Sequence, residues 1–484
     1  MNINIKPSNN VSIVGFTKDQ QKAYNELLDF INAPYSKTDY KRALVGAAGT
    51  GKTFLVRALI KNSKISYSTI GLAAPTHKAC RVLQESIALP NIKVNTLQSD
   101  LGLRLNFDVE KFDINNPPFD PKGRIKIGDY RLYIIDEASM INVGLRMFLE
   151  RTCTTNNCKI LYIGDDSQLP PVKEKYSTAF KGIKLHVLRE IVRQGEDNPI
   201  SYLLELLRDD IKNKTFKFLE YISKNPVKFN SDNTKGYEVC DIKTFGEKIY
   251  INFTDDAITR NIDYAKIIAY TNANVGAWNK FIRSAIIEDA DKSIITKNDL
   301  FISYVTIVNQ FNEAIIKNSE EYIVKDVVNY THPRYDLKGF MVRLQAIHGG
   351  QVTNPLFILD HTDKFTIQMY VKISEGMVKS AKMARANIRA QKWREYYKFK
   401  ESCMLLTNIG DSRGNIIYSR DLDYGFALTS HKSQGSTFDT SFVDVIDIVY
   451  DKYGHPYTDV EDINRRLYVA CSRCRNKLYL KFKS

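Results

Sequence analysis

The stretch Leu44-Val45-Gly46-Ala47-Ala48-Gly49-Thr50-Gly51-Lys52-Thr53 decides the fold of this chain, because it fits G-x-x-x-x-G-K-[ST], the pattern of a phosphate-binding loop. Arg42 to Val45 ahead of it read as a short apolar strand, and Phe54, Leu55, Ala58 and Leu59 behind it recur with the spacing of one helix face. The glycines therefore sit between a strand and a helix. Gly46, Gly49 and Gly51 leave room for backbone N–H groups to close around a polyphosphate at a helix N-terminus, where unpaired donors and the helix dipole favour an anion. In that setting Lys52 reaches the β- and γ-phosphates and the Thr53 hydroxyl ligates Mg²⁺.

Working outward, 484 residues exceed what one hydrophobic core usually holds, so two or more domains are expected. The 69 Lys+Arg against 55 Asp+Glu leave a formal charge of +14, which fits a polyanionic partner and also plain solubility. No apolar run approaches the roughly 20 residues that span a bilayer, and Met1 to Pro7 lack a signal-peptide core, so a cytosolic location is expected. Seven cysteines, an odd number, point to reduced thiols. Cys471 and Cys474 form a C-x-x-C with no second pair to complete a zinc site, and all seven read as structural.

In chain order, residues 1–15 read as a tail, and Thr17 then caps a helix whose apolar face is Ala23, Leu27, Leu28 and Ile31. Gln20 in its first turn reads either as an amide for an adenine edge or as a solvent-facing side chain. Ile70 to Ala74 form a strand ending in Pro75-Thr76-His77, at the end where open α/β sheets bind ligands. Turn signals at Asn115 to Pro118 and Pro121 to Gly123 mark a protruding hairpin. The apolar strand Leu132 to Ile135 runs into Asp136-Glu137. Downstream of a phosphate loop, Asp136 is placed to share Mg²⁺ with Thr53, and Glu137 to orient and deprotonate the attacking water.

The strand Ile160 to Ile163 leads to Gly164-Asp165-Asp166-Ser167-Gln168, with Gln168 a candidate sensor of the γ-phosphate. Arg193 reads equally as an arginine finger and as a surface arginine. A second α/β pattern starts at Ile267 to Tyr270 and resumes at Phe426 to Thr429, followed by His431. Between them Tyr322 to Val328, Met341 to Ile347, Leu356 to Leu359 and Thr366 to Ile373 read as short strands of a small barrel or sheet. Met377 to Phe399 is a basic helical segment with Trp393, Tyr396 and Tyr397, suited to nucleic acid or equally to a solvated helix with one packed face. Arg473 lies near the C-terminus, where it can reach across a cleft to a bound nucleotide.

Taken together, these stretches resemble a superfamily 1B DNA helicase of the RecD-like branch. The matching pieces, in order, are Thr17 and Gln20, Gly46 to Thr53, Ala74 to His77, Asp136 to Ser139, Gly164-Asp165 with Gln168 to Pro170, Arg193-Gln194, Thr429 with His431 to Gly435, and Tyr468 to Ala470 with Ser472-Arg473. The resemblance implies an α/β fold of two tandem RecA-like P-loop domains that hold ATP and Mg²⁺ between them. It puts the first domain at residues 1–185 with an inserted β-hairpin wedge at 86–130. The second takes 186–292 and 409–484, with a small β-barrel plus helical tower inserted at 293–408.

The same resemblance implies a monomer that travels 5′-to-3′ on single-stranded DNA and unwinds duplex DNA as ATP turnover alternates the grip of the two domains. It leaves room for a replication or single-strand-binding protein as a further partner. Lys52, Asp136, Glu137, Gln168, Arg193 and Arg473 would serve the chemistry, with Gln20 and Gly46 to Thr53 on the nucleotide. Pro75, Thr76, His77, Thr429 and His431 would hold the strand and Phe119 on the hairpin would split the duplex. One departure is Gln98, which stands where the branch often carries His in T-x-H-S. The residues alone leave open an RNA helicase, or a nucleic-acid-stimulated regulatory ATPase that does not unwind.

Overall fold

A computed structural model of the chain describes residues 15–103, 124–171, 174–190, 198–308, 314–411 and 413–483. The chain forms two compact units, the first made of 1–237, 434–437 and 457–476 and the second of 238–433, 438–456 and 477–484.

The first unit is built on a parallel sheet of β1 (Lys41–Gly46), β2 (Ile70–Ala74), β3 (Val94–Thr96), β4 (Leu132–Ile135), β5 (Lys159–Gly164) and β6 (Lys184–Leu188), in the order β3-β2-β4-β5-β1-β6. Its central strands are buried on both faces, which is why they read as unbroken apolar runs. One face packs Leu44, Leu72, Ile134 and Leu161 against Leu27, Leu55, Leu59 and Leu83 of the helices Lys18–Asn32, Lys52–Asn62 and His77–Ile87. The other packs Ala43, Tyr133 and Tyr162 against Leu145 and Leu149 of the helix Val143–Thr155. Because every strand runs the same way, the ends of β1, β2, β4 and β5 gather Gly46, Pro75, Asp136 and Asp165 along one edge.

Two boundaries differ from the sequence reading. The strand β6 pairs with β1 from Arg42↔Lys184 to Gly46↔Leu188, so the first sheet continues past residue 185. Val94–Thr96, inside the range expected for the hairpin, is the edge strand beside β2. Residues 104–123, with Phe119 and the hairpin turns, lie outside the described residues.

The second unit carries its own α/β sheet, in which Ala265–Ala269 pairs in parallel with Ala427–Thr429 and with Phe438–Asp444. Its core joins Phe245, Ile267, Val275, Phe442 and Tyr479. An antiparallel sheet interrupts this pattern. Its strands lie in the order Leu356–Leu359, Leu337–Ala346, Glu321–His332, Leu300–Ser303, Leu422–Tyr424. Leu422–Tyr424 comes from beyond residue 408, so the interruption draws on more chain than expected. Lys266 and Glu321 join the two sheets, the ammonium 2.6 Å from the carboxylate and both side chains fully buried.

Thr366 to Ile373 is a correction. The structure puts it in the helix Lys364–Met383, not in a strand. Asp363 caps that helix by accepting from the Thr366 N–H at 3.1 Å, and Thr366, Tyr370 and Ser374 turn inward at intervals of four, the helical period. A second helix, Ala386–Ser402, follows, and Tyr370 and Phe399 stack between the two with ring centroids 5.3 Å apart.

Candidate functional site

The phosphate loop forms where β1 ends. Gly49 and Gly51 have φ of 85° and 78°, the left-handed region that glycine adopts without penalty. A Cβ on Gly51 would also stand 2.5 Å from the Gln20 amide nitrogen. That amide donates to the Thr50 carbonyl at 2.9 Å, while the Gln20 oxygen accepts from the Thr17 N–H at 3.0 Å, closing a capping box. Gln20 thus braces the loop from below. The helix Lys52–Asn62 starts at Gly51 with no side chain capping it, which leaves its first N–H groups directed at the loop. Lys52 is folded over that loop, donating to the carbonyls of Gly46 at 2.7 Å and Ala47 at 2.9 Å.

Opposite the loop stand the acids at the ends of β4 and β5. Asp136 accepts from the Glu137 N–H at 2.9 Å, and its own N–H donates to Ala73 at 2.9 Å, tying it to β2. Glu137 takes φ 51°, a conformation costly for a side chain with a Cβ and common where structure is held for function. Burial raises the pKa of Asp136, opposed by the Lys52 charge. Burial, then the neighbouring Asp136, push Glu137 up to about 7, while Arg473 and Lys52 pull it down and Asp165 adds to the rise. Lys52, Asp136, Glu137, Asp165 and Arg473 therefore share one electrostatic environment. Among the described residues no three His, Cys, Asp or Glu side chains form a ready-made metal site, so a divalent cation here would rest on Asp136 and Thr53 together with oxygens of the nucleotide itself.

Arg473 is buried and fixed by its own surroundings, donating to the carbonyls of Val469 at 3.1 Å and Ser436 at 3.3 Å and to the Ser472 hydroxyl at 2.8 Å. It follows the helix Val460–Ser472, whose Tyr468 donates to Asp165 at 2.6 Å. Gln168 is buried, and its side-chain oxygen has no partner among the described residues.

An AAA domain matches residues 17–224. The ATP-dependent DNA helicase dda of Enterobacteria phage T4 is 24% identical over 96% of this chain and 98% of its own length. An uncharacterized protein of Acanthamoeba polyphaga mimivirus is also 24% identical, over 96% of this chain and 99% of its own. The chain resembles the superfamily 1B helicases. Its fold is that of the Pif1 helicase from Candida albicans, with a TM-score of 0.50 at 17% identity covering 97% of this chain and 95% of that one, and its two α/β sheets are accordingly RecA-like.

The remaining expected site residues fall in three places. In the first unit Thr76 caps the helix His77–Ile87, accepting from the Ala79 N–H at 3.2 Å, which sets Pro75, Thr76 and His77 at the end of β2. Gln98 lies beside them, its amide 3.5 Å from the Pro75 carbonyl and its oxygen buried without a partner among the described residues. In the second unit Thr429 ends a sheet strand and accepts from the Lys432 N–H at 3.2 Å, with His431 half-buried between them. Arg193 lies outside the described residues, as does Phe119.

Two residues were not singled out by sequence reasoning. Arg465 donates to the carbonyl of Gln168 at 2.9 Å and pairs with Glu461 at 3.0 Å. Gln434 donates to the Leu169 carbonyl at 3.3 Å. With Tyr468 they hold the Gly164 to Pro170 loop at Asp165, Asp166, Gln168 and Leu169. The available signal was Glu461, Arg465 and Tyr468 at intervals of four and three, one face of a helix.

Proposed function

We propose that this chain is an ATP-dependent DNA helicase that moves 5′-to-3′ on single-stranded DNA and unwinds duplex DNA. The observation that carries the proposal is that Asp136, Arg473 and Lys52 all bear electrostatically on Glu137, in a chain whose phage relative is a DNA helicase along nearly its whole length.

In this reading the loop N–H groups and Lys52 bind the β- and γ-phosphates, the ammonium exchanging its two carbonyl partners for phosphate oxygens. Thr53 and Asp136 would hold Mg²⁺, which when bound would neutralise charge on the transferring phosphoryl group. Glu137 accepts the proton of the attacking water, and a raised pKa makes it a better base than a free carboxylate at neutral pH. Gln168 offers its unpaired oxygen to that water. Arg473 and Arg193 stabilise the developing charge. Pro75, Thr76, His77, Thr429 and His431 hold the DNA strand, and Phe119 meets the duplex.

The test is strand separation on duplexes bearing a 5′ tail, a 3′ tail or an RNA strand, with ATP. Unwinding of the 5′-tailed DNA alone is expected. Preference for the 3′ tail overturns the direction, preference for RNA overturns the substrate, and DNA-stimulated hydrolysis without separation reduces the chain to a regulatory ATPase.

A further inference from the structure

The helices Lys364–Met383 and Ala386–Ser402 hold a concentration of charge that the ATP site does not use. From Lys372 to Lys400 they carry nine cations against two carboxylates, Glu375 and Glu395, a surplus of seven in a chain whose whole formal charge is +14. Half of the imbalance sits on one pair of helices. Charge that served solubility alone would be spread over the surface and interspersed with acids.

The side chains are placed outward. Lys372, Lys379, Lys382, Arg385, Arg389, Arg394 and Lys398 are all exposed. Lys392 pairs with Glu395 at 2.9 Å, whereas Lys379, Lys382, Arg385 and Arg394 have no carboxylate partner among the described residues. Lys372 and Lys379 are seven apart on the first helix, and Arg394 and Lys398 four apart on the second, so each helix presents a cationic row along its axis.

The aromatic side chains decide what kind of nucleic-acid contact this is. Trp393, Tyr396 and Tyr397 have ring centroids 5.5 to 6.1 Å apart and pack on one another, mostly edge to face or tilted. The second helix buries only Phe399, Trp393 and Tyr396 are half-buried, and of the three rings Tyr397 alone is exposed. A stacking platform for a single strand needs several free ring faces in succession. Cations without such platforms suit a phosphate backbone read as charge alone.

We infer that this helix pair is an electrostatic docking surface for the phosphate backbone of duplex DNA. The inference rests on the helicase reading above and adds to it a second contact, remote from the ATP site in sequence, that anchors the part of the substrate still paired.

The experiment compares the full chain with a variant carrying Lys379→Gln, Lys382→Gln, Arg385→Gln and Arg394→Gln, all exposed positions, and checks by circular dichroism that its melting is unchanged. Binding is measured by fluorescence anisotropy at several salt concentrations, on a blunt duplex and on a single-stranded oligonucleotide, alongside ATP hydrolysis stimulated by the single strand. The expected result is at least a tenfold loss of duplex affinity. The slope of log K against log salt becomes shallower by about two or more, since each phosphate contact contributes roughly 0.9. Single-strand affinity and stimulated hydrolysis stay within about twofold, on the same counterion argument.

Equal losses on both nucleic acids overturn the assignment to duplex. An unchanged duplex slope overturns the surface altogether, as does wild-type binding to phosphatidylserine vesicles that the variant loses while keeping its duplex affinity. Failure of the unmodified chain to bind any nucleic acid instead contradicts the helicase reading, which separates the two claims.

Discussion

Tyr468 donates its phenol to the Asp165 carboxylate at 2.6 Å, both groups buried, so the last helix is fastened to the loop that follows β5. Asp165 keeps one further contact, from the Ser167 N–H at 3.0 Å, and its charge bears on Glu137. Removing only the hydroxyl in Tyr468→Phe leaves a buried carboxylate short of a donor, at a cost of about 1.5–3 kcal/mol. Thermal unfolding at a lower temperature and a reduced ATP turnover are expected together. A variant that melts normally and turns over normally would show that the bond orders nothing at the site.

Lys266 and Glu321 make an ion pair with no solvent access, and Lys266 also donates to the Gly425 carbonyl at 2.8 Å. Breaking such a pair on one side strands a buried charge and costs about 3–5 kcal/mol, whereas replacing both members by apolar side chains is often close to neutral. Glu321→Met should therefore destabilise the second unit more than the double change Lys266→Met with Glu321→Met. Urea unfolding of the single variants Glu321→Met and Lys266→Met and of the double variant measures this directly. Simple additivity of the two single changes would contradict it.

His186 on β6 is buried, and its pKa is pushed down to about 4 by that burial, which outweighs the nearby Glu26 carboxylate. The folded chain keeps the ring neutral where the unfolded chain, with an ordinary value near 6.5, takes up a proton. Its contribution is complete above about pH 6.5 and is lost as pH falls towards 4, on the order of 1–2 kcal/mol. His186→Gln should flatten the fall in stability across that window. A profile parallel to the unmodified chain would rule out His186 as a source of it.

Gly51 needs both its left-handed backbone and the space taken by the Gln20 amide 2.5 Å from where a Cβ would stand. Gly51→Ala should weaken ATP binding at least tenfold, with Gln20 displaced from Thr50. Gln20→Ala should weaken it less, because it loosens the loop without straining it. Isothermal titration of the two variants ranks them, and the reverse order would assign Gln20 a direct nucleotide contact.

The phosphate loop was legible because its chemistry leaves little choice of residue: two left-handed glycines and a lysine at fixed spacing occur where a strand meets a helix. The strand Ile70–Ala74 and the strand Leu132–Ile135 were legible to the residue, since both faces are buried and no polar side chain interrupts them. Thr366 to Ile373 was misread because β-branched residues in a short run imitate a strand, and only the inward interval of four reveals the helix. Domain limits were harder still. Nothing in Lys184 to Leu188 tells that it pairs with Arg42 to Gly46, because pairing between distant segments leaves no local trace. The braces Arg465 and Gln434 act through backbone carbonyls of the loop, and such contacts impose no pattern on the loop's own residues.

The most direct test of the ATP site is steady-state hydrolysis at saturating single-stranded DNA by Glu137→Gln, which keeps the shape of the side chain and removes its basicity. The site described here predicts a fall of roughly a thousandfold or more in turnover, in the range that positioned bases and charge-stabilising groups contribute together, with ATP binding retained. Turnover within a few-fold of the unmodified chain would contradict it.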